Sequence, residues 1–112
     1  MTVNADKFFN ELLPAAMLEK PEYFKEIGFD YTFNISGEGG GEWSVKASNS
    51  GPSVTQGNPG NSNCTIIMSV EDFQQIYQNP MDIVQLFFMG KLKSSGDPMG
   101  LAKVPKIFNL GK

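Results

Sequence analysis

The period at which apolar residues recur changes along the chain, and this change constrains the fold more than any single motif does. Over residues 5–13 the apolar side chains follow the three-and-four spacing of an amphipathic helix. Over residues 29–35 and 42–47 they alternate with polar ones, which is typical of half-buried strands. Helical spacing returns over residues 70–77 and 81–89 and again after residue 98. The sequence therefore predicts a mixed α/β chain.

Turn-forming residues divide these segments. Asn4 is placed to cap the first helix, and Pro14 is expected to break that helix or to start a new one. The glycine-rich stretch 36–41 is expected to join two strands as a hairpin loop, and further turns are expected over 49–52 and 57–63. Pro80 and Pro98 are expected at the first positions of two helices, and Pro105 is expected to kink or interrupt the last one. Short strands are predicted over residues 53–56, over 64–68 in the interior of the sheet, and around residue 92.

Residue types on which small enzymes depend are absent. The chain has no His, and all nine basic residues are Lys, so the commonest general base and the best ligand for carboxylate or phosphate are both missing. The single Cys64 has no His to activate it, which indicates an inert core thiol. The glycine run lacks the Lys-Ser/Thr pair of a phosphate-binding loop. We therefore expect no catalytic residue, no metal site and no cofactor.

Charge is unevenly distributed. The net charge of −3 argues against a nucleic-acid-binding protein, which would need a basic face. Residues 1–90 carry four Lys and eleven acidic residues, whereas residues 91–112 carry five Lys and one Asp. The basic end is either an ordinary solvated surface or one that approaches anionic membrane headgroups or a phosphorylated ligand.

Length and hydropathy indicate one intracellular domain. A chain of 112 residues supports one hydrophobic core, so residues 1–112 are expected to form a single domain. No N-terminal targeting segment is apparent, and the longest apolar run, residues 86–89, is far too short to cross a bilayer. The last residues do not match a Ser-Lys-Leu-type peroxisomal signal. We therefore expect a cytoplasmic protein.

The segment 81–89 is the most unusual part of the sequence, which has nine Phe and six Met overall. Its apolar side chains encircle the helix axis and leave only Asp82 and Gln85 on a polar edge. A helix that is apolar all round is expected to be buried on every side. The residues alone leave three placements open for this helix: across an apolar ligand cavity, in an oligomer interface, or in the core.

Nearly the whole chain resembles the sterol carrier protein 2 family in the order and spacing of several short motifs. These are Phe9 with LPAA at 13–16, FNISGEGGGEW at 33–43, CTIIMS at 64–69, EDF at 71–73, FFMGKLK at 87–93 and MGLA at 99–102. The chain departs from the family pattern at Pro98, which is an additional residue, and at Pro105, in a helix that commonly forms one wall of the family's tunnel. The resemblance implies an α+β fold with a five-stranded mixed β-sheet, helices covering one face and a hydrophobic tunnel between the two layers.

The resemblance also implies a non-enzymatic carrier that holds a fatty acid, fatty acyl-CoA, phospholipid or sterol away from water. The alternatives are an interaction module that forms a homodimer and an accessory domain of an acyl-CoA enzyme; otherwise a monomer is expected. The residues expected to line the lipid site are Phe8, Phe9, Leu12, Leu13, Phe33, Trp43, Val45, Met68, Phe73, Ile76, Tyr77, Ile83, Leu86, Phe87, Met89, Leu101, Val104, Ile107 and Phe108. The residues expected to meet an acidic headgroup are Lys103 and Lys106.

Overall fold

The structure, a computed structural model, describes residues 4–47, 52–57 and 62–110. The helical segments are α1 (Ala5–Lys7), a π-helical segment (Phe8–Leu12), α2 (Leu13–Glu19), α3 (Pro21–Lys25), α4 (Val70–Gln78), α5 (Asp82–Phe88) and α6 (Pro98–Phe108). The strands are β1 (Asp30–Ser36), β2 (Gly41–Lys46), β3 (Ser53–Gln56), β4 (Cys64–Ser69) and β5 (Lys93–Gly96). Most of the turn expected over 49–52 and of the loop expected over 57–63 lies outside the described residues.

The strands form one mixed sheet in the order β3-β2-β1-β4-β5. β1 lies at the centre, antiparallel to β2 and parallel to β4, while β3 and β5 are antiparallel edge strands. In this register Phe33 is paired with Trp43 on one side and Ile66 on the other, so apolar side chains of three strands share one face. The predicted five-stranded mixed sheet is confirmed, although β5 begins just after Leu92 rather than around it.

β4 is an interior strand, as predicted, but it is buried on one face only. Ile66 and Met68 are buried, whereas Ile67 between them is 41% exposed. The helices cover the first of these faces, because Phe9 and Phe108 both contact the ring of Phe33. A continuous apolar run therefore does not indicate burial on both sides of this sheet.

Of the two outcomes expected of Pro14, a break in the first helix or the start of a new one, the structure shows the second, because α2 begins at Leu13 with Pro14 in its first turn. α1, the π-helical segment and α2 follow one another directly, and the N–H of Leu13 donates to the carbonyl of Phe8, five residues earlier. This wider turn comes immediately before Pro14, which has no N–H to donate and stands in the first turn of α2, where none is needed. Asn4 occupies the N-cap position, but its side chain makes no capping hydrogen bond.

α6 also continues through a proline. The Asp97 carboxylate accepts the N–H of Met99 at 2.9 Å, and Pro98 occupies the first helical position, as predicted. Pro105 does not interrupt the helix, which runs on to Phe108. Pro105 is buried together with most of the last turn, and this packing offsets the backbone hydrogen bond that proline cannot make.

α5 is not buried on every side, so the expectation from its apolar sequence is wrong. Ile83 and Leu86 are its buried residues, whereas Val84 (40%), Phe87 (38%) and Phe88 (79%) are exposed. A helix at the surface of a small domain has only one side available for packing, and the remaining apolar side chains then face outward. The helix also begins two residues later than predicted from Pro80. None of the helices in the described ranges is long and apolar enough to cross a membrane.

Candidate functional site

The space between the helices and the sheet holds most of the residues that the sequence predicts for a lipid site. These residues form one buried apolar cluster, with no member more than 4% exposed. We call it the interlayer cluster; its predicted members are Phe8, Phe9, Leu13, Phe33, Trp43, Val45, Met68, Phe73, Ile76, Ile83, Leu86, Val104, Ile107 and Phe108.

Aromatic rings meet directly inside this cluster. The ring of Phe8 stacks on that of Phe108, and the ring of Phe9 stacks on that of Trp43, with both pairs of centroids 4.9 Å apart. Phe73 of α4 lies 5.7 Å from Phe8 and 5.8 Å from Phe108. Such distances are typical of favourable ring pairs, so helices from both ends of the chain are joined here by aromatic contacts.

The π-helical segment positions two of these rings. Phe8 and Phe9 are adjacent in sequence and both are fully buried, with their ring centroids 5.0 Å apart in an edge-on arrangement. The next residue, Asn10, accepts a hydrogen bond from the indole Nε1 of Trp43 at 3.0 Å. This bond satisfies the one polar atom of the indole, which would otherwise be costly to bury. The π-helical segment therefore contacts β2 within the cluster through the hydrogen bond between Asn10 and Trp43 and the stacked rings of Phe9 and Trp43.

Five of the predicted lining residues lie outside the buried cluster. Leu12, Tyr77 and Leu101 are half-buried and pack against its margin. Phe87 and Met89 are exposed, Met89 at 56%. Phe87 lies in the last turn of α5, and Met89 is the residue that follows the helix. These two do not join the interlayer cluster in this conformation, and their role as lining residues stays a prediction.

The cluster also contains buried residues that were not predicted to line the site, among them three on the two central strands. Tyr31 and Ile35 of β1 and Ile66 of β4 are at most 3% exposed. Tyr31 and Ile35 alternate with polar residues on either side of Phe33, so the strand period already placed them on the inward face.

The two lysines expected to meet a headgroup lie on α6 in different surroundings. The Lys103 ammonium donates to the carbonyl of Ile27 at 3.3 Å and lies 5.4 Å from the ring centroid of Phe29. Lys106 has an exposed side chain, while its backbone carbonyl accepts the hydroxyl of Tyr23 at 2.7 Å. Lys103 is thus held against the loop before β1, and Lys106 extends from the helix into solvent.

The buried polar groups near the cluster are neutral. The Tyr31 hydroxyl donates to the carbonyl of Gly100 at 2.6 Å, and burial, reinforced by the neighbouring ionisable groups of Cys64 and Asp97, raises its pKa well above the ordinary tyrosine value. Burial also raises the pKa of the Cys64 thiol, against the opposing effect of its hydrogen bond with Ser94. A protonated thiol is a poor nucleophile, so the geometry agrees with an inert role for Cys64.

The chemistry available in the cluster is apolar contact. Across residues 4–47, 52–57 and 62–110, no buried side-chain nitrogen or oxygen lacks a hydrogen-bond partner. In the same ranges, no three His, Cys, Asp or Glu side chains come close enough together to hold a metal ion. A ligand between the layers would therefore be recognised by shape and hydrophobic burial rather than by polar groups that await a partner.

Comparison with known proteins places this arrangement in a family. The profile described as "SCP-2 sterol transfer family" matches residues 9–109. Sterol carrier protein 2 of Homo sapiens is 35% identical over 101 residues, which cover 88% of this chain and 18% of the human protein. Hydroxysteroid dehydrogenase-like protein 2 of Bos taurus is 30% identical over 80 residues, or 70% of this chain and 19% of that protein. The chain thus spans less than a fifth of the length of these relatives.

Solved structures give the same result. Sterol carrier protein 2 from Yarrowia lipolytica, in its apo form, superposes with a TM-score of 0.71 at 26% identity and covers 94% of this chain and 84% of its own. The solution structure of palmitated SCP2L2 from Aedes aegypti has a TM-score of 0.70 at 22% identity, covers 96% of this chain and 95% of its own, and supports the fold alone. The family match, the curated relatives and the shared fold together establish that the chain belongs to the SCP-2 sterol transfer family.

Proposed function

We propose that this chain is a non-enzymatic lipid-binding and lipid-transfer domain that holds one apolar chain between its helices and its sheet. The observation that carries the proposal is the interlayer cluster, in which aromatic and aliphatic side chains from both layers meet without a polar group left to satisfy. Membership of the SCP-2 sterol transfer family supports the same reading. The ligands proposed are fatty acids, fatty acyl-CoA, phospholipids and sterol-like lipids.

Lipid entry requires the interlayer cluster to open. Phe8 and Phe108 are stacked in the structure, so an acyl chain must separate them or displace one of the rings. α6 is the element proposed to move, because it contributes Phe108 from its last turn, at the margin of the buried region. We propose that this separation widens the space between the layers into a tunnel for the lipid.

The energetics favour loose specificity. Each buried methylene contributes about 0.8 kcal/mol, so a long acyl chain gains on the order of 10 kcal/mol before the costs of ordering and of opening the cluster. Those costs leave an affinity near the micromolar range. One methylene more or less changes the affinity only a few-fold, so we expect several lipids of similar length to bind.

The headgroup is proposed to lie at α6. Lys106 extends into solvent there, and Lys103 can exchange its contact with the Ile27 carbonyl for an acidic headgroup, because an ammonium bonds a carboxylate more strongly than a neutral carbonyl. The proposal includes a monomer in the cytoplasm that makes transient contact with anionic membranes. Such contact is needed because the cargo must leave one lipid phase and enter another.

Native mass spectrometry of the purified protein, followed by solvent extraction, tests the proposal. A monomer that releases a fatty acid, an acyl-CoA or another lipid supports it. Titration with a fluorescent fatty acid, displaced by an unlabelled one, then gives the affinity. A lipid-free protein that also ignores the added fluorescent fatty acid overturns the carrier reading. Retention of lipid only in a complex with a partner enzyme would favour the accessory-domain alternative instead.

A further inference from the structure

The C-terminal end of α5 presents an apolar surface outside the interlayer cluster. Phe88 is 79% exposed and Met89 56% exposed, and Val84 and Phe87 add exposed apolar area on the same outward arc of the helix. The rings of Phe87 and Phe88 lie edge to face, with centroids 5.7 Å apart. Exposed apolar groups of this size, concentrated on one short helix, are typical of a surface that contacts something apolar.

The backbone holds this surface in place. Gly90 follows the helix with a φ of +76°, and its N–H donates to the carbonyl of Phe87 at 3.1 Å. The N–H of Lys91 then donates to the carbonyl of Leu86 at 3.0 Å, which completes a glycine-terminated helix cap. Leu92 is 2% exposed and anchors the segment in the core. The cap fixes the backbone at the end of the helix, and two exposed lysines follow it directly; we call this segment the α5 tip (Val84, Phe87, Phe88, Met89, Lys91 and Lys93).

Charge identifies the kind of partner. Lys91 and Lys93 are exposed on either side of buried Leu92, and residues 83–96 contain no acidic residue. The acid of α5, Asp82, lies at the opposite end of the helix, where it accepts a hydrogen bond from Gln75 at 3.1 Å. Residues 1–90 carry a net charge of −7 and residues 91–112 one of +4, and Lys91 and Lys93 give the end of α5 a local positive charge that an anionic surface attracts.

The size of the tip favours a membrane over a second copy of the chain. A stable protein interface uses about 20–30 residues from each partner, far more than this one short helix presents. A self-symmetric contact through the tip would also bring lysines near lysines. Insertion of a few apolar side chains below a ring of anionic headgroups needs no such area, because hydrophobic burial and lysine–headgroup attraction add together.

We propose that the α5 tip docks the protein on membranes that contain anionic phospholipid, with Phe88 and Met89 inserted among the acyl chains and Lys91 and Lys93 at the headgroups. This inference rests on the proposed function, in that it names the surface through which the carrier meets a bilayer. It also places that surface beside α6, which packs against α5 and contributes Phe108 to the interlayer cluster.

The test is flotation of the full chain with vesicles of phosphatidylcholine alone and with vesicles that also contain phosphatidylserine. We expect stronger binding to the anionic vesicles. Phe88→Ser should weaken that binding about tenfold or more, because a large apolar side chain no longer inserts. Leu18→Ser is the matched control: Leu18 is 87% exposed, lies on α2 rather than on the tip, and should leave binding within about twofold of wild type.

Charge variants test the other half of the proposal. Lys91→Gln with Lys93→Gln should weaken binding to the anionic vesicles by about thirtyfold, since each lysine near such a surface contributes roughly a factor of five. The matched pair Lys7→Gln with Lys46→Gln removes two exposed lysines elsewhere and should have little effect. The thermal midpoint of each variant checks its folding.

If the wild type floats with anionic vesicles, two outcomes would still overturn the inference. One is vesicle binding that Phe88→Ser and the Lys91/Lys93 pair leave unchanged. The other is a concentration-dependent dimer in sedimentation equilibrium that Phe88→Ser dissociates, because the tip is then covered by a second copy. Fluorescent fatty-acid binding without vesicles separates this inference from the proposed function. A wild type that floats with vesicles but binds no fatty acid contradicts the carrier proposal, and one that binds fatty acid but never floats contradicts docking.

Discussion

Truncation of Phe108 to alanine should weaken the fold and strengthen lipid binding at the same time. Phe108 is 4% exposed, and its ring contacts those of Phe8, Phe33 and Phe73 at centroid distances of 4.9, 6.1 and 5.8 Å. Removal of a buried phenylalanine ring lowers the free energy of unfolding by about 3–5 kcal/mol. Small domains are typically stable by about 5–15 kcal/mol, so we expect a destabilised but folded variant.

The gain in affinity follows from the same contacts. If an acyl chain must break the contacts of Phe108 to enter, the protein spends binding energy on doing so. Three ring contacts at roughly 0.5–1.5 kcal/mol each amount to at least about 1.5 kcal/mol, which corresponds to about a tenfold change in dissociation constant. Phe108→Ala removes this cost in advance and also leaves space that a lipid can fill.

Urea unfolding and titration with a fluorescent fatty acid measure the two effects separately. Phe24→Ala is the matched control, because Phe24 is also fully buried but lies on α3, where its ring packs edge-on against Tyr23. It should lose similar stability and gain no affinity. The reasoning is refuted if Phe108→Ala binds no tighter than wild type, or if Phe24→Ala gains affinity to the same extent.

Two further predictions concern the fold. Burial raises the pKa of Tyr31, so the protonated hydroxyl is favoured in the folded state: its contribution to stability is complete below the ordinary tyrosine pKa of about 10 and is lost as the pH rises above it. Tyr31→Phe should lower the free energy of unfolding by about 1 kcal/mol at neutral pH, because the hydrogen bond to Gly100 is lost. The variant should also lose less stability than wild type as the pH rises above about 10. Urea unfolding at several pH values measures both effects, and an equal loss of stability at high pH in the two proteins would contradict the prediction. Ser69→Ala should lower the free energy of unfolding by about 1 kcal/mol, because the Ser69 hydroxyl accepts the N–H of Asp72 at 3.1 Å at the start of α4. Ser69→Asn should retain most of that stability, since asparagine also caps helices. Equal unfolding midpoints for wild type and Ser69→Ala would disprove the capping role.

Local patterns predicted the strands and their inward faces well. In β1, Tyr31, Phe33 and Ile35 alternate with polar residues, and all three are buried against the helices. A strand has only two faces, so alternation identifies the buried one without knowledge of the rest of the chain. The family resemblance implied a five-stranded mixed sheet, whereas the order β3-β2-β1-β4-β5 came from the structure, because a period contains no information on which strands are neighbours.

The buried side of α5 could not be predicted from its sequence. Its apolar side chains surround the axis, so the sequence contains no polar face to mark the solvent side. Which arc becomes buried depends on the packing of neighbouring elements, and here only Ile83 and Leu86 face inward. Pro14 left two outcomes open, a break in the helix or the start of a new one. The π-helical turn before Pro14 allows α2 to start directly after it, and that turn is not visible in the sequence pattern.

Local sequence patterns could not predict which side chains of the interlayer cluster contact one another. Phe8 and Phe108 lie near opposite ends of the chain, and each looks like an ordinary core residue in its own helix. Their stacking depends on how α6 and the π-helical segment cross the same part of the sheet. Sequence patterns therefore identified which residues are buried but not which of them touch.

The position of β1 at the centre of the sheet has a consequence for how the chain folds. β1 can pair with β2 through a short hairpin as soon as both strands exist. Its parallel pairing with β4 joins Tyr31 to Cys64 across a segment that contains β2 and β3, so this pairing forms more slowly than the hairpin. During synthesis, β4 leaves the ribosome after β1, β2 and β3. Until then the central strand has one open edge, and newly made chains are most prone to aggregate in that interval.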